Sequence, residues 1–139
     1  MSSLLVELNN VLTEFYDKMS SWEQSVVKET GYSLAQIHTL EVLGAHGAMK
    51  MKELANRLGI TTGTLTVQVD KLVKAGLIER HFDEQDRRSI LVDLTEAGQQ
   101  VFSQHNQLHL NLTSDLARHL DPQVQQQLVD SIKVLNGEF

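Results

Sequence analysis

Cysteine is absent from this chain of 139 residues, which removes disulfides, thiolate metal ligands and thiol redox switching from consideration. No stretch approaches the roughly 18 apolar residues of a membrane-spanning helix, and the N-terminus has no signal-like pattern. A soluble, cytoplasmic protein with no membrane partner is therefore expected. The usual catalytic signatures are missing as well: no Gly-x-Ser-x-Gly, no Gly-rich phosphate loop and no His-Glu-x-x-His. Serine, histidine and aspartate are present, but at no spacing that suggests a triad, so no enzyme is expected. Proline occurs once, as Pro122. Overall positive charge is lacking too, with 12 Lys and Arg against 18 Asp and Glu and a net charge of -6. That charge is unevenly spread. Lys50 to Arg88 holds eight basic and six acidic residues, whereas the remainder holds four and twelve. The basic groups are concentrated where a nucleic-acid phosphate could be met.

What the chain does have is a 44-residue segment, Met51 to Leu94, with a definite order of cues. Leu54, Ala55 and Leu58 recur at helical intervals, and Gly59 can take the positive φ that ends a helix. Ile60 follows as a core plug, and Thr61 and Thr62 offer a capping hydroxyl to a second helix. In that helix Leu65, Val69, Leu72 and Val73 share one face. Gly76 ends it, and Leu77-Ile78 begins a strand. Ile90, Val92 and Leu94 alternate with Leu91 and Asp93, the period-two pattern of a half-buried return strand. An acidic turn ending in Arg87-Arg88 lies between the strands. Helix, turn, helix and β-hairpin in this order make a winged helix-turn-helix, most often used to read double-stranded DNA.

The flanks are helical. Leu4, Leu8, Val11, Phe15, Met19, Trp22 and Val26 form one apolar stripe along a helix of about 25 residues. Thr95 caps a second long helix whose seam is Ala97, Val101, His105, Leu108, Leu112 and Leu116. Asp121 is the expected N-cap of a third, with Pro122 at its first position, and Val124, Leu128, Ile132 and Leu135 form its stripe. The predicted architecture is mainly α with a small β-wing. It is a single domain over 1–139, with the winged helix-turn-helix at 33–94 and helical dimerisation parts at 1–30 and 95–139. Paired half-sites on DNA favour a two-fold homodimer over a monomeric bundle.

Over nearly its full length the chain resembles the MarR family of regulators. The resemblance is carried by DEQDRRSILVDLTEAGQQV (83–101) and by GTLTVQVDKLVKAGLIER (63–80). It implies a winged-helix homodimer that binds double-stranded DNA at a palindromic operator. Recognition helices would enter successive major grooves and wings the flanking minor grooves, mostly for repression. It also implies that Arg88 is the minor-groove side chain, with Asp86 bracing the wing and Arg87 near phosphate. Many relatives carry Arg or Lys where this chain has Val67. The outward face of the recognition helix here offers Gly63, Thr64, Val67 and Lys71, with Thr62 and Thr66 at its edges. That set can touch thymine methyls and base edges but provides no bidentate guanine clamp. A winged helix used for protein–protein contact is the alternative, since the fold does not dictate DNA binding. The paired arginines at the tip argue against it.

Histidine forms the second constellation. His105 and His109, spaced i and i+4, project from one helix face and can hold one metal ion. Zinc-responsive members of the family have histidines matching His38, His105 and His109 and a carboxylate from the first helix, for which Glu23 is the candidate. The resemblance thus implies a Zn²⁺ site of Glu23, His38, His105 and His109. The family's fatty-acid-synthesis regulators carry similar histidines and respond to acyl-carrier protein instead. On an apolar seam, moreover, His105 reads equally as a core residue with a satisfied hydrogen bond. A metal, an acyl carrier and a small organic molecule all stay open as effector. His46, His81 and His119 show no partner spacing and read as surface residues.

Overall fold

The computed structural model describes residues 1–139. Its elements are α1 (Ser3–Lys28), α2 (Leu34–His46), β1 (Met49–Lys50), α3 (Met51–Leu58), α4 (Thr62–Lys74), β2 (Ile78–Phe82), β3 (Ile90–Leu94), α5 (Glu96–Ala117) and α6 (Pro122–Asn136). None of its helices is long and apolar enough to cross a membrane. Two compact units divide the chain, Met1–Phe102 and Ser103–Phe139.

The first unit is built on the helix-turn-helix. A reciprocal capping box starts α2: Ser33 Oγ accepts the Gln36 N–H (3.1 Å), and Gln36 Oε1 accepts the Ser33 N–H (2.9 Å). Gly59 ends α3 at φ 68°, which lets the Ile60 N–H reach back to the Ala55 carbonyl at 3.1 Å. Thr61, not Thr62, is the N-cap of α4, and its hydroxyl accepts the Thr64 N–H at 3.2 Å. Gly76, at φ 78°, closes α4 in the same way, with the Leu77 N–H bonded to Leu72 O at 2.9 Å. The buried core joins Ile37, Leu40 and Leu43 of α2 to Leu54 and Ala55 of α3 and to Leu65, Val69 and Leu72 of α4. Val92 and Leu94 close it from the sheet, and Val27 of α1 is buried with them where Val26 is only half-buried.

The antiparallel sheet has the order β1-β3-β2, with Ile78 opposite Leu94 and Phe82 opposite Ile90. The two-residue β1, pairing Met49 with Val92, is too short to show any periodicity in the sequence. The alternation expected on β3 holds for the buried Val92 and Leu94 but fails at Ile90, which lies exposed toward the hairpin tip.

The start of α5 belongs to this unit. Thr95 caps it as expected: its Oγ1 accepts the Gly98 N–H (3.0 Å) and donates to the Gly76 carbonyl (2.6 Å). The expected seam residue Ala97 is exposed and Gly98 is buried in its stead. A Cβ on Gly98 would overlap the Leu77 carbonyl oxygen, and one on Gly44 would overlap the Phe102 ring. Helix and wing base therefore approach to a distance that only glycine allows.

In the second unit, residues 103–117 of α5 lead through 118–121 into α6. Gln125 Nε2 donates to the carbonyls of Ala117 (2.8 Å) and Leu120 (3.0 Å), satisfying the end of α5. Asp121 occupies the N-cap of α6 and Pro122 its first turn, but the Asp121 side chain makes no capping hydrogen bond. No residue of α6 is buried, and Val124, Leu128, Ile132 and Leu135 form an exposed apolar stripe.

Candidate nucleic-acid interface and donor pairs

With Leu65, Val69 and Leu72 turned into the core, α4 presents Thr62, Gly63, Thr64, Thr66, Val67 and Lys71 to solvent. This is the face expected from the sequence. Two of its hydroxyl groups are already engaged. Thr66 Oγ1 donates to the Thr62 carbonyl at 2.8 Å, and Thr64 Oγ1 lies 3.0 Å from Thr61 Oγ1. Elsewhere on the helix Asp70 pairs with Arg80 of β2, and Gln68 Oε1 sits 3.4 Å from the hydroxyl of buried Thr39 on α2. These partners fix the pitch of α4 against its neighbours. Neither pair was foreseen, because each joins residues ten or more apart that share no motif.

The wing tip is a set of nested turns. Asp83 N–H bonds Ser89 O (3.0 Å), Ser89 N–H bonds Asp86 O (2.9 Å), and Asp83 Oδ1 accepts the Gln85 N–H (3.0 Å). Asp86 Oδ1 accepts both the backbone N–H and the side-chain Nε of Arg88, each at 3.1 Å, and Oδ2 accepts the Ser89 hydroxyl at 3.4 Å. The Arg88 side-chain hydrogen bond, followed by that of its backbone N–H, holds the Asp86 carboxyl below the ordinary aspartate range. Only Nε of the guanidinium is engaged, and the Arg88 side chain is 91% exposed. Its terminal amino groups are thus presented outward on a fixed stem. Arg87 is exposed beside it.

Of the expected metal ligands, His105 and His109 pair with each other in the second unit, while Glu23 in the first unit pairs with Glu41, which was not expected. In the second unit, Nε2 of buried His105 and Nε2 of half-buried His109 are 3.2 Å apart, with the rings nearly edge-on at 73°. In the first, a carboxylate oxygen of Glu23 lies within 4.8 Å of one from Glu41. The α2 residue brought to Glu23 is therefore Glu41, while His38, expected there, is exposed. The two residues stand one helical turn apart, so the turn of α2 that faces α1 selects the acid over the imidazole. An acid within the apolar run IHTLEVL was the available signal for Glu41.

The comparisons agree with the winged-helix fold. Residues 32–90 match the MarR family model. The chain is 31% identical over 105 residues to the uncharacterized HTH-type transcriptional regulator YfiV of Bacillus subtilis, a match covering 75% of this chain and 65% of that protein. It is 25% identical to the transcriptional regulator AdcR of Streptococcus pneumoniae over 100% of this chain and 99% of that one. The crystal structure of Streptococcus pneumoniae FabT in complex with DNA superposes with a TM-score of 0.83 at 22% identity, covering 96% of this chain and 95% of that one. Reading helix, braced wing and sequence likeness lead to one conclusion: residues 32–90 form a winged helix-turn-helix of the MarR family.

Proposed function

We propose that the protein acts as a homodimeric repressor on a palindromic operator, with its DNA affinity set by an effector. The observation that carries the DNA geometry is the outward, Asp86-braced guanidinium of Arg88 on the same unit as the exposed face of α4. FabT, which shares the fold, was solved in complex with DNA, and helix-turn-helix proteins place the second helix in the major groove, which supports that placement for α4, with the wing at the flanking minor groove. The homodimer is supported by apolar side chains that the single chain leaves open to water: Leu4, Leu8, Val11 and Phe15 on α1 and the stripe on α6. Patches of this kind mark association surfaces. The operator would then be an inverted repeat with half-site centres ~34–36 Å apart. Selection from random duplexes, with sedimentation of the native protein and of Leu8→Asp/Val11→Asp, tests this. A site with no palindromic character, or a native monomer at micromolar concentration, rules the homodimer out.

The effector we propose is a divalent metal of the zinc class, with His105 and His109 as its nitrogen donors. Two imidazoles bound to one tetrahedral ion at ~2.0–2.1 Å stand about 3.3 Å apart, and the Nε2 separation of 3.2 Å fits that chelate. Bound metal would supply a charge that favours one arrangement of the protein over another, the condition for any ligand to act as a switch. Metal content of the native protein and of His105→Ala/His109→Ala tests this. If zinc neither binds nor alters DNA affinity, the effector is to be sought among small organic or acyl ligands.

A further inference from the structure

We infer that Val67 is the specificity-determining residue of the reading helix, and that it selects thymine through the 5-methyl group in the major groove. The inference deepens the DNA-binding reading and rests on it. Val67 is 56% exposed and takes no part in the buried core, which α4 reaches through Leu65, Val69 and Leu72. A β-branched residue on an exposed helix position is not favoured by helix propensity, so nothing inside the unit calls for valine here.

Gly63, one turn earlier on the line Gly63–Val67–Lys71, makes the same point from the other side. A Cβ placed there would meet nothing closer than Thr61 Oγ1 at 4.0 Å, and its φ is not in the positive range. Neither packing nor backbone conformation requires glycine. Its missing side chain leaves open space beside Val67, into which an outside surface can come close.

The neighbouring polar groups narrow what that surface offers. The Thr66 hydroxyl has given its hydrogen to the Thr62 carbonyl, and the Thr64 hydroxyl is engaged with Thr61. Thr66 therefore faces outward as an acceptor, and no Arg, Asn or Gln stands on the line to clamp a base in two places. An apolar side chain can distinguish bases in the major groove by one feature, the thymine methyl. Lys71, a turn beyond Val67, supplies charge for a phosphate.

The test is to replace, one at a time, the thymines of the selected half-site by deoxyuridine, which keeps every hydrogen-bonding group and removes only the methyl. Binding of the full chain should weaken about fourfold at one position per half-site, the ratio for one buried carbon group. Val67→Ala should bind the thymine and deoxyuridine forms of that position equally and keep its melting temperature. A defined site with no deoxyuridine-sensitive position, or a sensitivity that survives in Val67→Ala, overturns the assignment while leaving DNA binding intact. Failure to select any site overturns both.

Discussion

Asp86 grips Arg88 at two points, the backbone N–H and the side-chain Nε, both 3.1 Å from the same carboxylate oxygen. A carboxyl whose folded value is depressed contributes its stabilisation above its unfolded value, about 3.9, and loses it as pH falls through the lower folded value. The wing brace should therefore be constant across neutral pH and be lost only as pH falls below the ordinary aspartate range. A carboxyl titration of Asp86 by NMR that placed it at or above the ordinary aspartate value would remove the brace.

Breaking the contact from the other end separates binding from folding. An exposed ion pair contributes little to stability, so Arg88→Ala should leave thermal unfolding nearly unchanged. Operator binding should weaken by roughly 1–3 kcal/mol if Arg88 enters a groove. Arg87→Ala should mainly reduce the slope of log affinity against log salt, by about one phosphate contact. Equal titrations of Arg88→Ala and native protein on a verified operator would take the wing out of recognition.

Two glycines in the same unit should respond to alanine with opposite signs. Gly98→Ala drives a methyl into the Leu77 carbonyl and should destabilise by roughly 1–3 kcal/mol. Gly63→Ala meets open space in a helix and should stabilise by about 0.5–1 kcal/mol. The same Gly63 variant should bind the operator less tightly, because its methyl occupies room next to Val67. Chemical denaturation beside DNA titration reads both signs, and a Gly63→Ala protein that gains stability with undiminished affinity contradicts the close approach.

For the metal, equilibrium dialysis should find zinc retained by the native protein and depleted in His105→Ala/His109→Ala. His38→Ala should retain it, since His38 is exposed. Loss of zinc on changing His38 alone would restore the ligand set that the sequence suggested.

The helix-turn-helix was readable because its cues are local: glycine at two helix ends, threonine at a cap, apolar residues at helical or strand spacing. These interactions lie within a few residues of one another, and the chain order displays them. Contacts that depend on how elements meet were hidden. Glu41, and not His38, lies beside Glu23 because the rotation of α2 about its axis decides which residue faces α1, and residues one turn apart look equivalent in a sequence. Gly98 was legible as part of a motif, whereas its physical reason, the nearness of Leu77, appears only once the hairpin is folded. The β1 strand escaped because two residues carry no pattern.

The Thr95 hydroxyl joins the Gly76 carbonyl to the Gly98 amide, and the Thr95 N–H bonds the Leu77 carbonyl at 3.0 Å. The entrance and exit of the wing are thereby fastened to each other at the base, independently of its tip. Length changes between Phe82 and Ile90 need not propagate into the core, because the strands leave and return through the same fixed point. Loop tips of this sort tolerate insertion best. A lineage could lengthen, shorten or recharge the wing tip while the reading helix keeps its own alphabet, so that, on the proposed reading, the two halves of an operator preference are free to evolve on separate schedules.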